Sequence, residues 1–150
     1  MSALEFSMFL GTYTPKLDDK GRLILPAKFR PRLEGGIILT RGQEHSIYGW
    51  TPEAFTEFTD RVRQAPVTNK AARNFSRMLF SGASDELPDK QGRISIPTVL
   101  REWAELERDC VVVGAMDRLE IWDAQRWAEF SADQEETFSE MSEEVMPGIL

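Results

Sequence analysis

The sequence predicts an α+β chain, mainly β, in which one supersecondary unit is used twice. Three observations carry that reading. The run Asp18-Asp19-Lys20-Gly21-Arg22-Leu23-Ile24-Leu25-Pro26, closing at Arg30, recurs as Asp89-Lys90-Gln91-Gly92-Arg93-Ile94-Ser95-Ile96-Pro97, closing at Arg101, an offset of 71. The block from Trp50 through Phe55 to Phe58 recurs as Trp122 through Trp127 to Phe130 at an offset of 72, so one inserted residue separates the two spacings. Two blocks repeated in the same order mark an internal repeat. The third observation is alternation, with Leu23, Leu25, Ile94 and Ile96 on one strand face and Arg22 and Arg93 on the other.

Each unit opens on Asp-x-x-Gly, a tight turn whose carboxylate can accept backbone N–H groups and whose glycine can take positive φ. A short strand follows, with its arginine facing away from the core. Pro26 and Pro97 cannot donate to a sheet and suit a first helical turn, which predicts helices running through Arg30 and Arg101. Ile37-Ile38-Leu39-Thr40 and Cys110-Val111-Val112-Val113 then read as strands, followed by further strands ending at Trp50 and Trp122. Thr51-Pro52 and Asp123 are helix N-cap signals. Between the halves, Ala71, Ala72, Phe75, Met78 and Leu79 form a helical stripe, with Arg73 and Arg77 on another face, and this helix is expected to pack the halves together. Ser81-Gly82-Ala83-Ser84 reads as a loop, and the repeat boundary is placed just before it. The expected organisation is a first repeat with its connecting helix over 8–80, a second repeat over 81–132 and an acidic tail over 133–150.

A hydrophobic share of 41%, with four Trp and nine Phe, is enough for a packed core and argues against disorder. The repeated aromatics Trp50, Phe55, Phe58, Trp122, Trp127 and Phe130 are expected in core packing, since they do not alternate with basic groups as a single-strand stacking surface would. Cys110 is the only cysteine, so no intramolecular disulfide can form and a buried small apolar role is expected. No apolar stretch approaches a membrane span, and no basic region followed by an apolar run opens the chain. A cytoplasmic protein without membrane contact is expected.

The net charge of -7 argues at first against nucleic acid, but the charge is unevenly placed. Residues 133–150 hold Asp133, Glu135, Glu136, Glu140, Glu143 and Glu144 with no Lys or Arg, leaving 18 basic against 19 acidic groups elsewhere. Within the first 32 residues Lys16, Lys20, Arg22, Lys28, Arg30 and Arg32 oppose only Glu5, Asp18 and Asp19. A whole-chain isoelectric point therefore does not exclude DNA binding.

His45, the single histidine, has no partners at zinc spacing and is expected to be a solvated loop residue. No nucleophile elbow, phosphate-binding Gly-rich loop or dinucleotide fingerprint is present, so neither an enzyme nor a cofactor is expected. Asp18 and Asp89 could be paired carboxylates for acid–base or metal chemistry; the glycine three residues on favours a turn role, and no metal is expected. Arg22 and Arg93 have two readings: an ion pair with the nearby Asp, which spacing alone favours, or a guanidinium offered to phosphate and base edges. The basic neighbours Lys16, Lys20 and Lys28 tilt the first copy toward duplex DNA, whereas Asp85, Glu86 and Asp89 weaken the second.

The run Met8-Phe9-Leu10-Gly11-Thr12-Tyr13, the two Asp-x-x-Gly-Arg copies and Leu119-Glu120-Ile121-Trp122 together resemble the MraZ family over residues 8 to about 140. The resemblance implies tandem SpoVT/AbrB-like modules, each a swapped-hairpin β unit with added helices, assembled into a closed ring of identical subunits. It also implies a nucleoid-associated transcription regulator, typically a repressor, that binds short direct repeats in the promoter of its own division and cell-wall gene cluster. Carried onto this sequence, it makes Arg22 the first candidate for DNA contact, with Lys20 on the same turn and Arg93 ranked below; the basic neighbours Lys16 and Lys28 join them on charge alone. Asp18, Gly21, Asp89 and Gly92 shape the loops. Members of the family typically begin where Met8 stands, so Met8 is the expected start. A ring raises avidity because each later contact is intramolecular. Two alternatives differ in class. One is an antitoxin-type protein-interaction module whose acidic tail docks on a basic partner or on the chain's own loops. The other is an enzyme using the Asp and Arg pairs on a phosphorylated substrate, although no small-molecule substrate is expected.

Overall fold

The computed structural model describes residues 8–148; the expectation about Met1 against Met8 as the start lies outside the described residues. The two repeats are interleaved. Strands β1 (Thr12–Tyr13), β3 (Ile37–Arg41), β4 (Ile47–Trp50), β5 (Ser84–Glu86), β7 (Cys110–Gly114) and β8 (Leu119–Asp123) form one antiparallel sheet in the order β1-β7-β8-β4-β3-β5. The order reads the same in both directions when first-repeat strands are exchanged for their second-repeat equivalents, so a pseudo-twofold axis runs between β8 and β4. The outermost strand on each side belongs to the opposite repeat, as β1 pairs β7 and β5 pairs β3. Strands β2 (Arg22–Ile24) and β6 (Arg93–Ser95) leave this sheet and form a separate antiparallel ribbon. This is the tandem swapped-hairpin α+β arrangement, with β strands as its framework.

Strand alternation sorts the two faces. Leu23, Leu25, Ile94 and Ile96 from the ribbon pack with Ile37, Leu39, Ile47, Leu119 and Ile121 from the sheet, all essentially inaccessible. Two short helices, α1 (Arg30–Leu33) and α4 (Thr98–Trp103), close this core through Leu33 and Leu100. Tyr48, Trp50, Glu120 and Trp122 alternate with the core residues of β4 and β8 and so point to the other face. That face is covered by α2 (Pro52–Val62) and α5 (Ala124–Val145). Trp50 stacks on Phe58 at 4.7 Å and Trp122 packs on Phe130 at 4.9 Å, so the repeated aromatics build two local clusters beside the main core. The expected caps form, with Thr51 Oγ1 accepting from the Ala54 N–H and the Asp123 carboxylate from the Arg126 N–H. Cys110 is buried, and burial pushes its thiol up to about 12.

Four expectations change. The first-repeat helix begins at Arg30 instead of ending there. Pro31 lacks an N–H, and its ring would clash with the Ala27 carbonyl in a helix started at Pro26, so residues 26–29 form a turn and the helix starts anew. The helix α3 (Lys70–Ser81) does not pack the halves together: Leu79 is its only buried residue, while Phe75 and Met78 are half exposed. Strand exchange already joins the halves. His45 is exposed yet tied down, its Nδ1 lying 2.9 Å from the Trp103 carbonyl and its ring stacked on that indole. Helix α5 runs unbroken across residue 133, because the chain there is rich in helix formers and meets no proline before Pro147. Among the described residues no helix is long and apolar enough to cross a membrane.

Candidate nucleic-acid interface

Each Asp-x-x-Gly-Arg loop is built by its own aspartate. Asp18 Oδ1 accepts the Lys20 and Arg22 backbone N–H groups, both at 2.9 Å, while Oδ2 accepts the Arg22 Nε at 2.8 Å. Asp89 repeats this with Gln91 and Arg93 at the same three distances. Gly21 and Gly92 close the turns at φ 75° and 80°, where a side chain would be strained. The ion-pair reading of Arg22 and Arg93 is therefore realised, but it uses only Nε. Among the described residues no protein acceptor takes the terminal Nη groups of either arginine, and both side chains keep 28% of their exposure. The pair orients the fork and leaves its outer edge free to donate.

Those hydrogen bonds hold both carboxyls below the ordinary 3.8. The largest cause is the N–H of the motif arginine; desolvation comes next and acts in the opposite sense, and the guanidinium and the second backbone N–H add to the lowering. Because the folded-state value is depressed, the turns contribute their stability above the unfolded carboxyl range and lose it as pH falls through the lowered folded value. In an NMR titration both carboxyls are expected to change protonation below 3.8. Titration of either one above that value would show that the turn is not formed in solution.

The ribbon brings the two loops together. Its register pairs Arg22 with Ser95, Leu23 with Ile94 and Ile24 with Arg93. Directly opposed residues share a face, so Arg22 and Arg93 stand diagonally on the outer face while Leu23 and Ile94 are held in the core. Diagonal neighbours of this kind stand roughly 7–8 Å apart, their Cβ atoms somewhat closer. The ladder continues past the strands, the Leu25 N–H donating to the Gly92 carbonyl at 2.9 Å and the Ile96 N–H to the Gly21 carbonyl at 2.8 Å.

Two further cations complete the surface. Arg101 crosses behind the first loop, where a Cβ on Gly21 would come within 2.9 Å of its guanidinium carbon; Arg30 crosses behind the second, where a Cβ on Gly92 would come within 2.5 Å of its Nε. Each is anchored by Nε on the backbone carbonyl just past its own ribbon strand, Leu25 for Arg30 and Ile96 for Arg101, both at 2.9 Å. Each loop thus carries an arginine from the other repeat, which reading the repeats one at a time could not reveal. Lys20 is exposed on the first turn, and Lys16 lines a shallow recess with Ile24, Pro26 and Arg30. Lys28 is exposed in the turn after β2 and hydrogen-bonds to neither loop among the described residues. Asp85 and Glu86 belong to the edge strand β5 and not to the ribbon. Asp18 and Asp89 are each engaged by their own arginine, and among the described residues no group of three metal-ligating side chains assembles. Residues 15–32 and 88–101 together carry nine basic side chains against Asp18, Asp19 and Asp89.

Fold and site define a class: a tandem swapped-hairpin β protein that joins its two halves through a basic, arginine-bearing ribbon. The chain belongs to the MraZ family, described as MraZ protein and antitoxin-like, whose pattern it matches at residues 8–78 and again at 79–146. It is 60% identical over 143 residues to the Transcriptional regulator MraZ of Parafrankia sp. (strain EAN1pec), covering 95% of this chain and 100% of that one. Proteins of the same name from Frankia alni and Thermobifida fusca are 58% and 56% identical over the same shares.

Proposed function

We propose that the chain regulates transcription by binding double-stranded promoter DNA, with the β2–β6 ribbon entering the major groove and Arg22 and Arg93 reading base edges. The observation that carries this is the pair of Asp-oriented guanidiniums on one face of a two-stranded ribbon, each with its Nη edge open. A major groove about 12 Å wide admits such a ribbon, and a separation of roughly 7–8 Å spans about two base-pair steps of about 3.4 Å. Lys20, Lys16, Arg30 and Arg101 would take backbone phosphates, which set position without carrying sequence. Lys28 is the outermost candidate. The equal geometry of the loops supports Arg93 as a partner of equal rank to Arg22.

A finer reading is what the family resemblance of the two motif copies implies. In it the protein is a cytoplasmic, nucleoid-associated repressor that recognises short direct repeats upstream of its own division and cell-wall gene cluster. A closed ring of subunits engages several repeats at once, so that repeat spacing contributes specificity through avidity. The antitoxin-like description of the family favours one other reading, a protein-interaction module that holds a toxin-like partner.

Fluorescence anisotropy with duplex DNA from upstream of the gene, over a salt series, tests the proposal. The affinity is expected to fall steeply with salt, by a slope of about 0.9 for each phosphate neutralised, and Lys20→Ala to reduce that slope by about one phosphate. Absence of salt-sensitive binding, together with stoichiometric retention of a protein partner, would reject the DNA reading in favour of the interaction module.

A further inference from the structure

We propose that Ile24 selects a thymine beside the base pair read by Arg93, and that Ser95, its counterpart in the second repeat, leaves the other half of the ribbon without that preference. Each subunit then reads its DNA element in one direction only. The inference rests on the reading of the β2–β6 ribbon as a groove-binding element and names a residue that sets its sequence preference.

The ribbon has a twofold backbone and an uneven surface. Its register places Arg22, Ile24, Arg93 and Ser95 on the outer face, with Ile24 directly opposite Arg93 and Ser95 directly opposite Arg22. The repeat offset of 71 makes Arg22 the equivalent of Arg93 and Ile24 the equivalent of Ser95. The two arginines therefore match under the pseudo-twofold rotation, and the residues that face them do not. Ile24 is 46% exposed, whereas its strand neighbours Leu23 and Leu25 are fully buried. The fold does not call for an apolar side chain there, because Ser95 holds the same register position in the same ladder and is exposed. An aliphatic side chain is thus kept in water, on a face whose other side chains are cationic or polar.

The apolar feature that a major groove offers such a side chain is the C5-methyl of thymine, whereas a guanine presents two acceptors that a guanidinium takes as a pair. Directly opposed residues of an antiparallel ribbon stand about 4.5–5.5 Å apart, and successive base pairs about 3.4 Å, so Arg93 on a guanine brings Ile24 over the adjacent base pair. The Ser95 hydroxyl beside Arg22 both donates and accepts, and any base pair can satisfy it. A reader with identical halves binds an element and its reverse complement equally. Ile24 removes that degeneracy, because rotating the ribbon by half a turn takes the isoleucine off the methyl and puts the serine there. A second difference of the same sense lies behind the loops. Thr98 Oγ1 accepts Arg101 Nη2 at 2.8 Å, while Ala27 stands at the equivalent place in the first repeat and offers Arg30 no such hold. The arginine behind the first loop is therefore fixed at two points, and the phosphate contacts share the polarity of the base contacts.

The test uses the full-length chain and the upstream duplex, with thymine replaced by deoxyuridine at one place at a time in every repeat, a change that removes only the methyl. For the wild type, one such position is expected to weaken binding by about 4-fold for each repeat engaged, the worth of one methyl taken out of water. Ile24→Ser makes the two halves alike at this position. It is expected to lose the uracil sensitivity and to keep the salt slope, since no charge changes. On a two-repeat duplex with one repeat turned end for end about its own centre, the wild type is expected to bind less tightly than on the native order, and Ile24→Ser to lose most of that difference. Circular dichroism checks the fold of the variant, and the uracil arm on the wild type needs no variant at all. Tight, salt-sensitive wild-type binding that is indifferent to uracil at every position would overturn the inference and leave the DNA reading standing. Uracil sensitivity that survives in a folded Ile24→Ser protein would do the same, by placing the methyl contact on another residue. Absence of salt-sensitive duplex binding by the wild type rejects the DNA reading itself, and the inference falls with it.

Discussion

Replacing Arg22 and Arg93 together by alanine is expected to weaken promoter binding by roughly 30-fold to 10⁴-fold while leaving the protein folded. Each well-formed bidentate contact to a base is worth about 1–3 kcal/mol, and the ribbon presents two per subunit. The fold tolerates the change because both side chains are partly exposed and the backbone N–H of each position still closes its turn on Asp18 or Asp89. Anisotropy at fixed salt, with thermal unfolding as control, measures the effect. A folded double variant that binds as tightly as the wild type would remove the ribbon from the interface. Lysine at both positions separates reading from charge: it keeps the positive charge and hence the salt dependence, but lacks the planar fork, so discrimination between promoter and unrelated DNA is expected to fall.

The local half of this site was legible in the sequence. Asp18, Gly21 and Arg22 act within five residues of one another, and carboxylate, positive-φ glycine and strand alternation are local properties that a motif encodes directly. The pairing of the loops was not legible, because nothing in residues 89–97 specifies that its ladder partner is residues 22–24. Exchanged strands are a non-local choice among alternating segments of similar character. The crossing of Arg30 and Arg101 follows from that choice. A signal was present, since each motif closes on an arginine at the equivalent position, but its meaning depends on which loop lies opposite. Helix α3 shows the same limit in another form. The period of Ala71, Phe75 and Met78 gives an amphipathic helix, and periodicity alone does not say whether its apolar side meets the other half of the chain or stays half exposed. Trp103 and His45 lie 58 residues apart, and their stacking likewise depends on tertiary placement.

Residues 8–80 and 81–148, produced as separate chains, are each expected to lack a cooperative unfolding transition as monomers. The sequence divides cleanly there, but the packing does not. The first piece would lose β7 as partner for β1, β6 as partner for β2 and β5 as cover for the free edge of β3. It would keep the β3–β4 hairpin with Ile37, Leu39 and Ile47 facing inward, yet Ile94, Ile96, Leu100, Leu119 and Ile121 would be missing from the shared core. Fragments of this size have little area to bury, and an unsupported hairpin is marginal in water. Equimolar mixing is expected to restore native circular dichroism with second-order kinetics, because every missing strand partner lies on the other piece. Homodimerisation of one piece would fit the same physics, since the repeats are similar enough for a second copy to supply the exchanged strands. Cooperative folding of either piece as a monomer would overturn the argument, because it would show that one repeat can close its own core and that the exchange of β1, β5 and the ribbon strands is not what holds the two loops on one face.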